Sequence, residues 1–305
     1  MPWSLEVGNA LDVLPEMEEG SVHCCVTGPP YFGQRDYGVE GQIGLEDTPR
    51  EYVNNLIRVF DRVWRVLRDD GTLWVVIGDA YNNRCHARES SHQTGFGHDS
   101  DSLRESWAEK RARGAARMSI KDGDLKEKDL IGVPWMLATS LRRCGWYVRS
   151  EIIWAKGISG PMDGKGYRGG ACMPEPVRDR CARAHETIFM FSKAPHYYYD
   201  YEAVKEPAVQ LTKKRPRRDV WHVTKDRFLG EHSATFPARL IEPMVIAGCP
   251  PGGTVLDPFT GSGSTGLVAL AHGRSFTGIE LNPRYADIAK GRLREAWEAR
   301  VQEAV

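Results

Sequence analysis

The stretch Val26-Thr27-Gly28-Pro29-Pro30-Tyr31-Phe32-Gly33 has an unusual chemical make-up for the end of a strand. It follows an apolar run, and its two consecutive prolines remove two backbone donors and stiffen the chain. A rigid corner of this kind presents backbone carbonyl groups as hydrogen-bond acceptors, with the ring of Tyr31 beside them. A tight structural turn is the simpler interpretation, and the rest of the chain must decide between the two.

A glycine-rich turn lies near the other end of the chain. Gly261-x-Gly263-x-x-Gly266 follows the apolar run TVLDPF and opens a helical pattern. Glycines let a ligand approach the backbone, and the first turn of a helix offers free N–H groups. Glu280, at the end of the next predicted strand, is placed to accept hydrogen bonds from a ribose. A strand-to-helix turn without a ligand is the structural alternative.

Two nucleotide-like cofactors suit such a turn. A nicotinamide enzyme builds most of its sheet from βαβ units downstream of the glycines, whereas here one helix follows the acidic residue. No lysine follows the glycines, which excludes a phosphate-binding P-loop. S-adenosylmethionine, which has an adenosine but no pyrophosphate, is therefore the expected cofactor. Asp257 is expected to pair with its methionine ammonium group.

Predicted strands and helices alternate along the chain that carries these two turns. HCCVTG, GTLWVVIGD, YVRSEIIWA and ETIFMFSK are short, nearly continuous apolar runs, which indicate strands buried on both faces. Between the first two, apolar residues recur at three- and four-residue steps over EYVNNLIRVFDRVWRVLRDDG, which predicts an amphipathic helix. A strand, a helix and a strand at this spacing predict a parallel βαβ unit and an α/β fold.

Composition limits the class of protein. The chain has 305 residues, 41% of them hydrophobic, with 41 Lys+Arg balanced by 41 Asp+Glu. No apolar run approaches the ~20 residues of a membrane span, and no signal peptide is evident. The seven cysteines form no C-x-x-C pair, so a reduced, cytoplasmic protein without a membrane partner is expected.

Two polar segments interrupt the regular pattern. Residues 82–129 and 156–185 are predicted to be long loops inserted into one domain that spans residues 1–305. The first contains Cys85, His86, His92 and His98, whose irregular spacing does not indicate a metal site.

The two turns, taken together, resemble those of the amino-group DNA methyltransferases, which methylate adenine N6 or cytosine N4. The likeness rests on TGPPYF, which matches an (Asp/Asn/Ser)-Pro-Pro-(Tyr/Phe/Trp) corner, and on DPFTGSGST, which matches an Asp-Pro-Phe-x-Gly-x-Gly turn. Here the corner precedes the turn, which is the motif order of the β group. The resemblance covers nearly the whole chain.

The resemblance implies a Rossmann-like S-adenosylmethionine-dependent methyltransferase fold. The implied sheet has seven mostly parallel strands with one antiparallel strand, and helices lie on both faces. It implies catalytic roles for Gly28, Pro29, Pro30 and Tyr31. The implied cofactor contacts are Asp12, His232, Phe236, Pro237, Asp257, Phe259, Gly261, Gly263 and Glu280.

The resemblance also implies double-stranded DNA as the partner, and a homodimer. Within a DNA-recognition segment at about residues 200–231, the basic run KKRPRR would neutralise phosphates through Lys213, Lys214, Arg215, Arg217 and Arg218. An ordinary solvated loop is the alternative interpretation of that run.

Catalysis would rest on backbone carbonyls that localise the lone pair of an exocyclic amine, while Tyr31 stacks on a base flipped out of the duplex. Gly28 departs from the family pattern, because Asp, Asn or Ser usually stands there. The side chain that usually stands at this position would have indicated the target base. Because glycine has none, adenine N6 is expected as the commoner target, with cytosine N4 as the alternative. Two other classes of function are alternatives to a DNA methyltransferase. One is a DNA-binding protein that has lost turnover through Gly28, and the other is a methyltransferase for RNA or protein.

Overall fold

The computed structural model describes residues 1–82, 120, 122–156, 177–208, 213–224 and 236–303. The strands in these residues are β1 (Trp3–Val7), β2 (Val22–Thr27), β3 (Leu67–Ile77), β4 (Tyr147–Ala155), β5 (His185–Ser192), β6 (Glu206–Pro207), β7 (Lys214–Arg215), β8 (Val220–His222), β9 (Thr254–Asp257) and β10 (Ser275–Glu280). The helices are α1 (Ala10–Val13), α2 (Pro49–Val66), α3 (Val133–Arg143), α4 (Ala238–Gly248), α5 (Ser264–Ala271) and α6 (Pro283–Glu303). A 3-10 turn, Leu14–Glu16, follows α1.

One sheet of eight strands dominates the described part of the chain, in the order β1-β10-β9-β2-β3-β5-β4-β8. β5 runs antiparallel to β3 and β4, and the other neighbouring pairs are parallel. The expected mostly parallel sheet with one antiparallel strand is therefore confirmed. The count exceeds the expected seven because β8 pairs with the end of β4, and three residues are too few to show a strand pattern in sequence. β6 and β7 form a separate ribbon.

The apolar runs of β2, β3 and β5 are buried on both faces, as their sequences predict. In β4 only Ile152 and Trp154 are buried, because that strand lies beside the short edge strand β8. Successive strand residues point to opposite faces of a sheet. Cys24 and Val26 of β2 belong to the core that includes residues of α4, α5 and α6. Cys25 belongs to the opposite core, which includes residues of α2 and α3. Helices on both faces thus shield the central strands of the sheet from water on both sides.

Helix α2 forms where the apolar periodicity predicts it. Its N-terminus carries a capping box, in which Thr48 Oγ1 accepts from the Glu51 N–H and Glu51 Oε2 accepts from the Thr48 N–H, both at 3.2 Å. With β2 and β3 the helix completes the predicted parallel βαβ unit. Among the helices that the structure describes, none has the length and apolar character needed to cross a membrane.

The sheet brings the two sequence motifs together. β2 pairs directly with β9, with Cys24 opposite Val255 and Cys25 opposite Leu256. Because the two strands are parallel, both end at the same edge of the sheet. The Pro-Pro corner that follows β2 and the glycine turn that follows β9 therefore leave the sheet side by side.

Candidate active site

A hydrogen bond links the ends of the two motif strands. Thr27 Oγ1, the last side chain of β2, donates to Asp257 Oδ1, the last side chain of β9, at 2.6 Å. Both residues are buried. The corner and the glycine turn are thus held together by side chains as well as by backbone pairing.

Asp257 has further hydrogen-bond donors around its carboxylate. Thr265 Oγ1 donates at 2.8 Å and the Phe259 N–H donates at 3.1 Å. Burial raises the pKa of Asp257 to about 6, although the hydrogen bonds from Thr27, Thr265 and Phe259 act in the opposite direction. The carboxylate is therefore poised to gain from a cation placed beside it.

Glu280 closes the glycine turn from the neighbouring strand. Its two carboxylate oxygens accept hydrogen bonds from the Gly261 N–H at 2.7 Å and the Asn282 N–H at 2.8 Å. Burial raises the pKa of Glu280. Gly261 and Gly263 have φ values of 55° and 85°, in the left-handed region that favours glycine. The turn therefore needs glycine at both positions.

The Pro-Pro corner is supported from α2. Tyr52, which is fully buried, donates from its hydroxyl to the Pro30 carbonyl at 2.8 Å. Its ring also packs against Phe32, with the ring centroids 5.5 Å apart. The corner is therefore held on the carbonyl of its second proline as well as through Thr27.

Tyr31 lies against the end of β3. A Cβ atom built on Gly78 would lie 2.6 Å from Tyr31 Cε2, so the ring packs directly on the glycine backbone. Its hydroxyl donates to Glu186 Oε2 at 2.6 Å. Burial, reinforced by the charge of Glu186 and this hydrogen bond, holds the pKa of Tyr31 well above its usual range. Tyr31 is thus a neutral phenol with a defined ring position.

The ring of Phe236, from a distant part of the chain, packs against the corner at Gly28. A Cβ atom built on Gly28 would lie 2.1 Å from Phe236 Cζ and 2.3 Å from Cε2. The same ring packs edge-on against Trp154, with centroids 6.1 Å apart. An aromatic ring therefore stands where the usual side chain at position 28 would be.

A cavity joins the catalytic corner to the glycine turn. Of the residues with implied roles, those that line it are Gly28, Pro29, Pro30, Tyr31, Phe236, Asp257, Phe259, Gly261 and Glu280. Gly263 stands just outside the lining as the N-cap of α5, and Pro237 as the N-cap of α4. Asp12 is exposed on α1 and is not part of the lining. His232 lies outside the described residues.

Other lining residues carry no motif in the sequence. They include Asn9, Tyr37, Trp154, Glu186 and Tyr285. Asn9 is the N-cap of α1, where its Oδ1 accepts from the Leu11 N–H at 2.9 Å, and this capping signal could have been recognised in GNALDVL. The T-shaped pairing of Tyr37 with Tyr285, 6.1 Å between centroids, could not, because the two rings are far apart in the chain.

The groups that line the cavity fit S-adenosylmethionine. The carboxylates of buried Asp257 and partly buried Glu280 are acceptors that suit an ammonium and ribose hydroxyls. Aromatic and apolar side chains from Phe259, Tyr285 and Tyr37 suit an adenine ring. The corner adjoins this group, where a methyl donor would have to meet its acceptor.

The basic run lies on and after the β6–β7 ribbon. Arg215 Nε and Arg218 Nε donate to Glu206 Oε1 at 3.0 and 2.9 Å, and the Arg217 guanidinium lies over the Trp221 ring at 4.6 Å. Lys213 and Lys214 are exposed. The run is therefore partly built into the fold, and its two lysines face solvent.

Metal binding finds no support in the described ranges, which contain no group of three His, Cys, Asp or Glu side chains arranged to hold an ion. Cys85, His86, His92 and His98 lie outside those ranges.

The chain is similar in sequence to known DNA-modifying enzymes. A family model described as DNA methylase, of the N6/N4 class, matches residues 22–291. The Type II methyltransferase M.Cfr9I of Citrobacter freundii is 45% identical over 286 residues, which cover 94% of this chain and 86% of the relative. The Type II methyltransferase M.SmaI of Serratia marcescens is 43% identical over 292 residues, which cover 94% and 89%.

The chain also resembles solved structures of DNA methyltransferases. TTHA0409 of Thermus thermophilus, complexed with S-adenosyl-L-methionine, is 25% identical with a TM-score of 0.61, over 96% of this chain and 93% of that one. The cytosine-N4-specific PvuII DNA methyltransferase shares the fold, with a TM-score of 0.64 at 18% identity, over 97% and 91%. This chain therefore belongs to the DNA methylase family and is an S-adenosylmethionine-dependent amino-group DNA methyltransferase.

Proposed function

We propose that the chain transfers a methyl group from S-adenosylmethionine to the exocyclic amino group of a base flipped out of double-stranded DNA. The observation that carries the proposal is the hydrogen bond of 2.6 Å from Thr27 to Asp257. It joins the strand end that presents the corner to the strand end that presents the glycine turn. Positioning of this kind can supply most of the rate in a direct transfer.

The bound cofactor would supply an electrophilic methyl group from its sulfonium sulfur and leave as S-adenosylhomocysteine, while the amine nitrogen forms the new bond to carbon and releases one proton to solvent. The residues of this chain would prepare the acceptor. The carbonyls of Gly28 and Pro29 accept hydrogen bonds from the amine, which directs its lone pair toward the methyl group. Tyr31 stacks on the flipped base. Asp257 holds the methionine ammonium and Glu280 the ribose hydroxyls.

The two candidate target amines fit the corner equally well. Adenine N6 and cytosine N4 are both amino groups conjugated with a ring, so backbone carbonyls serve both. We expect adenine N6 to be the target, because it is the commoner target in the family, and cytosine N4 is the alternative.

Partner and assembly are part of the proposal. We place the phosphate contacts on the basic run Lys213–Arg218, assign the chain to the β group by its motif order, and expect it to act as one methyltransferase domain in a homodimer. Sedimentation of the free protein and of its DNA complex tests the assembly.

Incubation with radiolabelled S-adenosylmethionine tests the function. Unmethylated double-stranded DNA of mixed sequence should take up label, and nucleoside analysis of the product should give N6-methyladenine or N4-methylcytosine. Sequencing of the same product gives the recognition site. Labelling of RNA but not of duplex DNA, or 5-methylcytosine as the product, would contradict the proposal.

A further inference from the structure

Tyr31 is hydrogen-bonded to a partly buried ion pair that lies outside the Pro-Pro corner and the glycine turn. Its hydroxyl donates to Glu186 Oε2 at 2.6 Å, and the Lys156 ammonium pairs with Glu186 Oε1. The side chains of Lys156 and Glu186 are only 15% and 14% exposed. Burying two charges is costly unless their hydrogen bonds are satisfied, so the Tyr31 hydroxyl completes the surroundings of this carboxylate.

The ion pair stands on the sheet rather than on a loop. Glu186 lies in β5 opposite Trp154 of β4. The Lys156 N–H, directly after β4, donates to the Ala184 carbonyl at 2.9 Å, and its ammonium lies 5.0 Å from the centre of the Trp154 ring. Backbone pairing therefore fixes the strand position from which the Glu186 carboxylate reaches Lys156 and Tyr31.

The Tyr31 ring is restrained at two places. Gly78 lets the ring pack on the backbone after β3, and Glu186 holds the hydroxyl at the far edge. A bond of 2.6 Å from a neutral hydroxyl to a carboxylate is short and charge-assisted. Together, the two contacts set both the depth and the orientation of the ring in the cavity.

We infer that the Lys156–Glu186 ion pair positions Tyr31 for stacking on the target base, and that Glu186 and Lys156 are positioning residues of the methyl transfer. The inference rests on the proposed function. Gly28 has no side chain with which to anchor the base, so the corner depends more heavily on the orientation of Tyr31. Glu186 acts here through the tyrosine hydroxyl and not on the amine itself.

A double-mutant cycle on single-turnover methyl transfer tests the inference, with saturating DNA and cofactor. Tyr31→Phe keeps the ring and removes the hydroxyl, and Glu186→Gln removes the charge. Each should lower the rate by roughly tenfold to a hundredfold, the range for a hydrogen bond to a charged group. The double variant should be no slower than the slower single variant, because Glu186 acts only through the Tyr31 hydroxyl, which the double variant lacks. Lys156→Met should lower the rate in the same direction.

Three measurements exclude a merely structural effect. The dissociation constant for S-adenosylmethionine should stay within about twofold of wild type in Tyr31→Phe, so that the loss appears in the transfer rate alone. Thermal unfolding reports whether each variant is folded. Asp70→Asn, which breaks the exposed pair between Arg68 Nε and Asp70 Oδ1 at 2.9 Å, is the matched control and should leave the rate unchanged.

Several outcomes separate the inference from the proposed function. A wild-type protein that methylates no duplex DNA would refute the proposed function. An active wild type with an equally active, folded Tyr31→Phe variant would refute the inference alone. So would additive losses in the double variant, which would show that Glu186 acts on the substrate independently of Tyr31.

Discussion

The ring of Phe236 occupies the place in which a side chain at position 28 would lie. A Cβ atom on Gly28 would stand 2.1 Å from Phe236 Cζ, far inside van der Waals contact. The absence of Asp, Asn or Ser at this corner is therefore matched by a ring from the segment before α4. The two residues form a complementary pair, so a larger residue at position 28 requires the ring at position 236 to move or to be replaced by a smaller side chain.

Substitution of Gly28 tests this pair. Gly28→Ser should lower the free energy of unfolding by about 1–3 kcal/mol, the usual cost of overpacking, and should lower methyl transfer because the corner or the ring must move. Gly28→Ser combined with Phe236→Leu should recover part of that stability, because the smaller side chain makes room. Chemical denaturation measures both effects.

Gly291 provides the control, because a side chain added at this glycine would meet no neighbouring atom. It lies inside α6 with nothing within 4 Å of a built Cβ, so Gly291→Ala should stabilise the protein by about 0.5–1 kcal/mol. If Gly28→Ala were equally harmless, the close contact with Phe236 would not exist in solution.

Cofactor binding should depend on pH through Asp257. Burial raises the pKa of this carboxyl from 3.8 to about 6. In the free protein, the stability contributed by the protonated form is fully present below 3.8 and is lost as pH rises through about 6. A cofactor ammonium favours the ionised form, so affinity should fall as pH drops below about 6, by up to roughly tenfold per pH unit.

Calorimetric titrations with S-adenosylmethionine between pH 5 and 8 measure this dependence. Asp257→Asn should bind weakly at every pH and lose the dependence, because it cannot ionise. An unchanged pH profile in that variant would assign the titration to another group.

The adenosine side of the cavity should depend on Asn9 more than on Asp12. Asn9 lines the cavity and caps α1, whereas Asp12 is exposed on that helix and lies outside the lining. Loss of a cap costs about 1 kcal/mol, so Asn9→Ala should weaken cofactor binding and lower the melting temperature. Asp12→Asn should change the dissociation constant less than about twofold. A larger loss in Asp12→Asn would restore the role that the resemblance implies for it.

The two exposed lysines of the basic run should carry its contribution to DNA affinity. Replacing Lys213 and Lys214 by Gln should reduce the slope of log affinity against log salt by about 2, one unit for each lost phosphate contact. Fluorescence anisotropy on mixed-sequence duplexes at several salt concentrations measures the slope. An unchanged slope would remove these lysines from the DNA interface.

Arg215 behaves differently because it is bonded to Glu206 on the ribbon. Hydrogen bonds from Arg218 and Arg215 outweigh the effect of burial and lower the pKa of Glu206. Arg215→Gln should therefore cost stability, up to about 1 kcal/mol for a partly exposed pair. A loss of DNA affinity equal to that of the lysine variant would show that the pair opens on binding.

Much of the fold could be predicted from local patterns. The apolar runs that became β2, β3, β4 and β5, the periodicity of α2, and the glycine turn all have causes within a few residues of chain. Burial on two faces leaves a continuous apolar run, and a left-handed turn leaves its glycines. The Pro-Pro corner is equally local, since two prolines in succession stiffen whatever structure contains them.

The site itself needed contacts between distant parts of the chain. Pairing of β2 with β9 places Thr27 beside Asp257, 230 positions away, and no local pattern encodes that distance. Glu206 and its partners Arg215 and Arg218 are only nine and twelve positions apart. Their pairing could not be predicted because the two-residue strands β6 and β7 leave no alternating pattern in the sequence.

Local motifs account for the chemistry that we propose, because a Pro-Pro corner after a strand and a glycine turn before a helix can be recognised from neighbouring residues alone. The side chains that complete the site are visible only in the folded chain, where Glu186 and Lys156 reach Tyr31. The Phe236 ring likewise reaches Gly28 only through folding. Packing and hydrogen bonds act through space, whereas a motif records only neighbours along the chain.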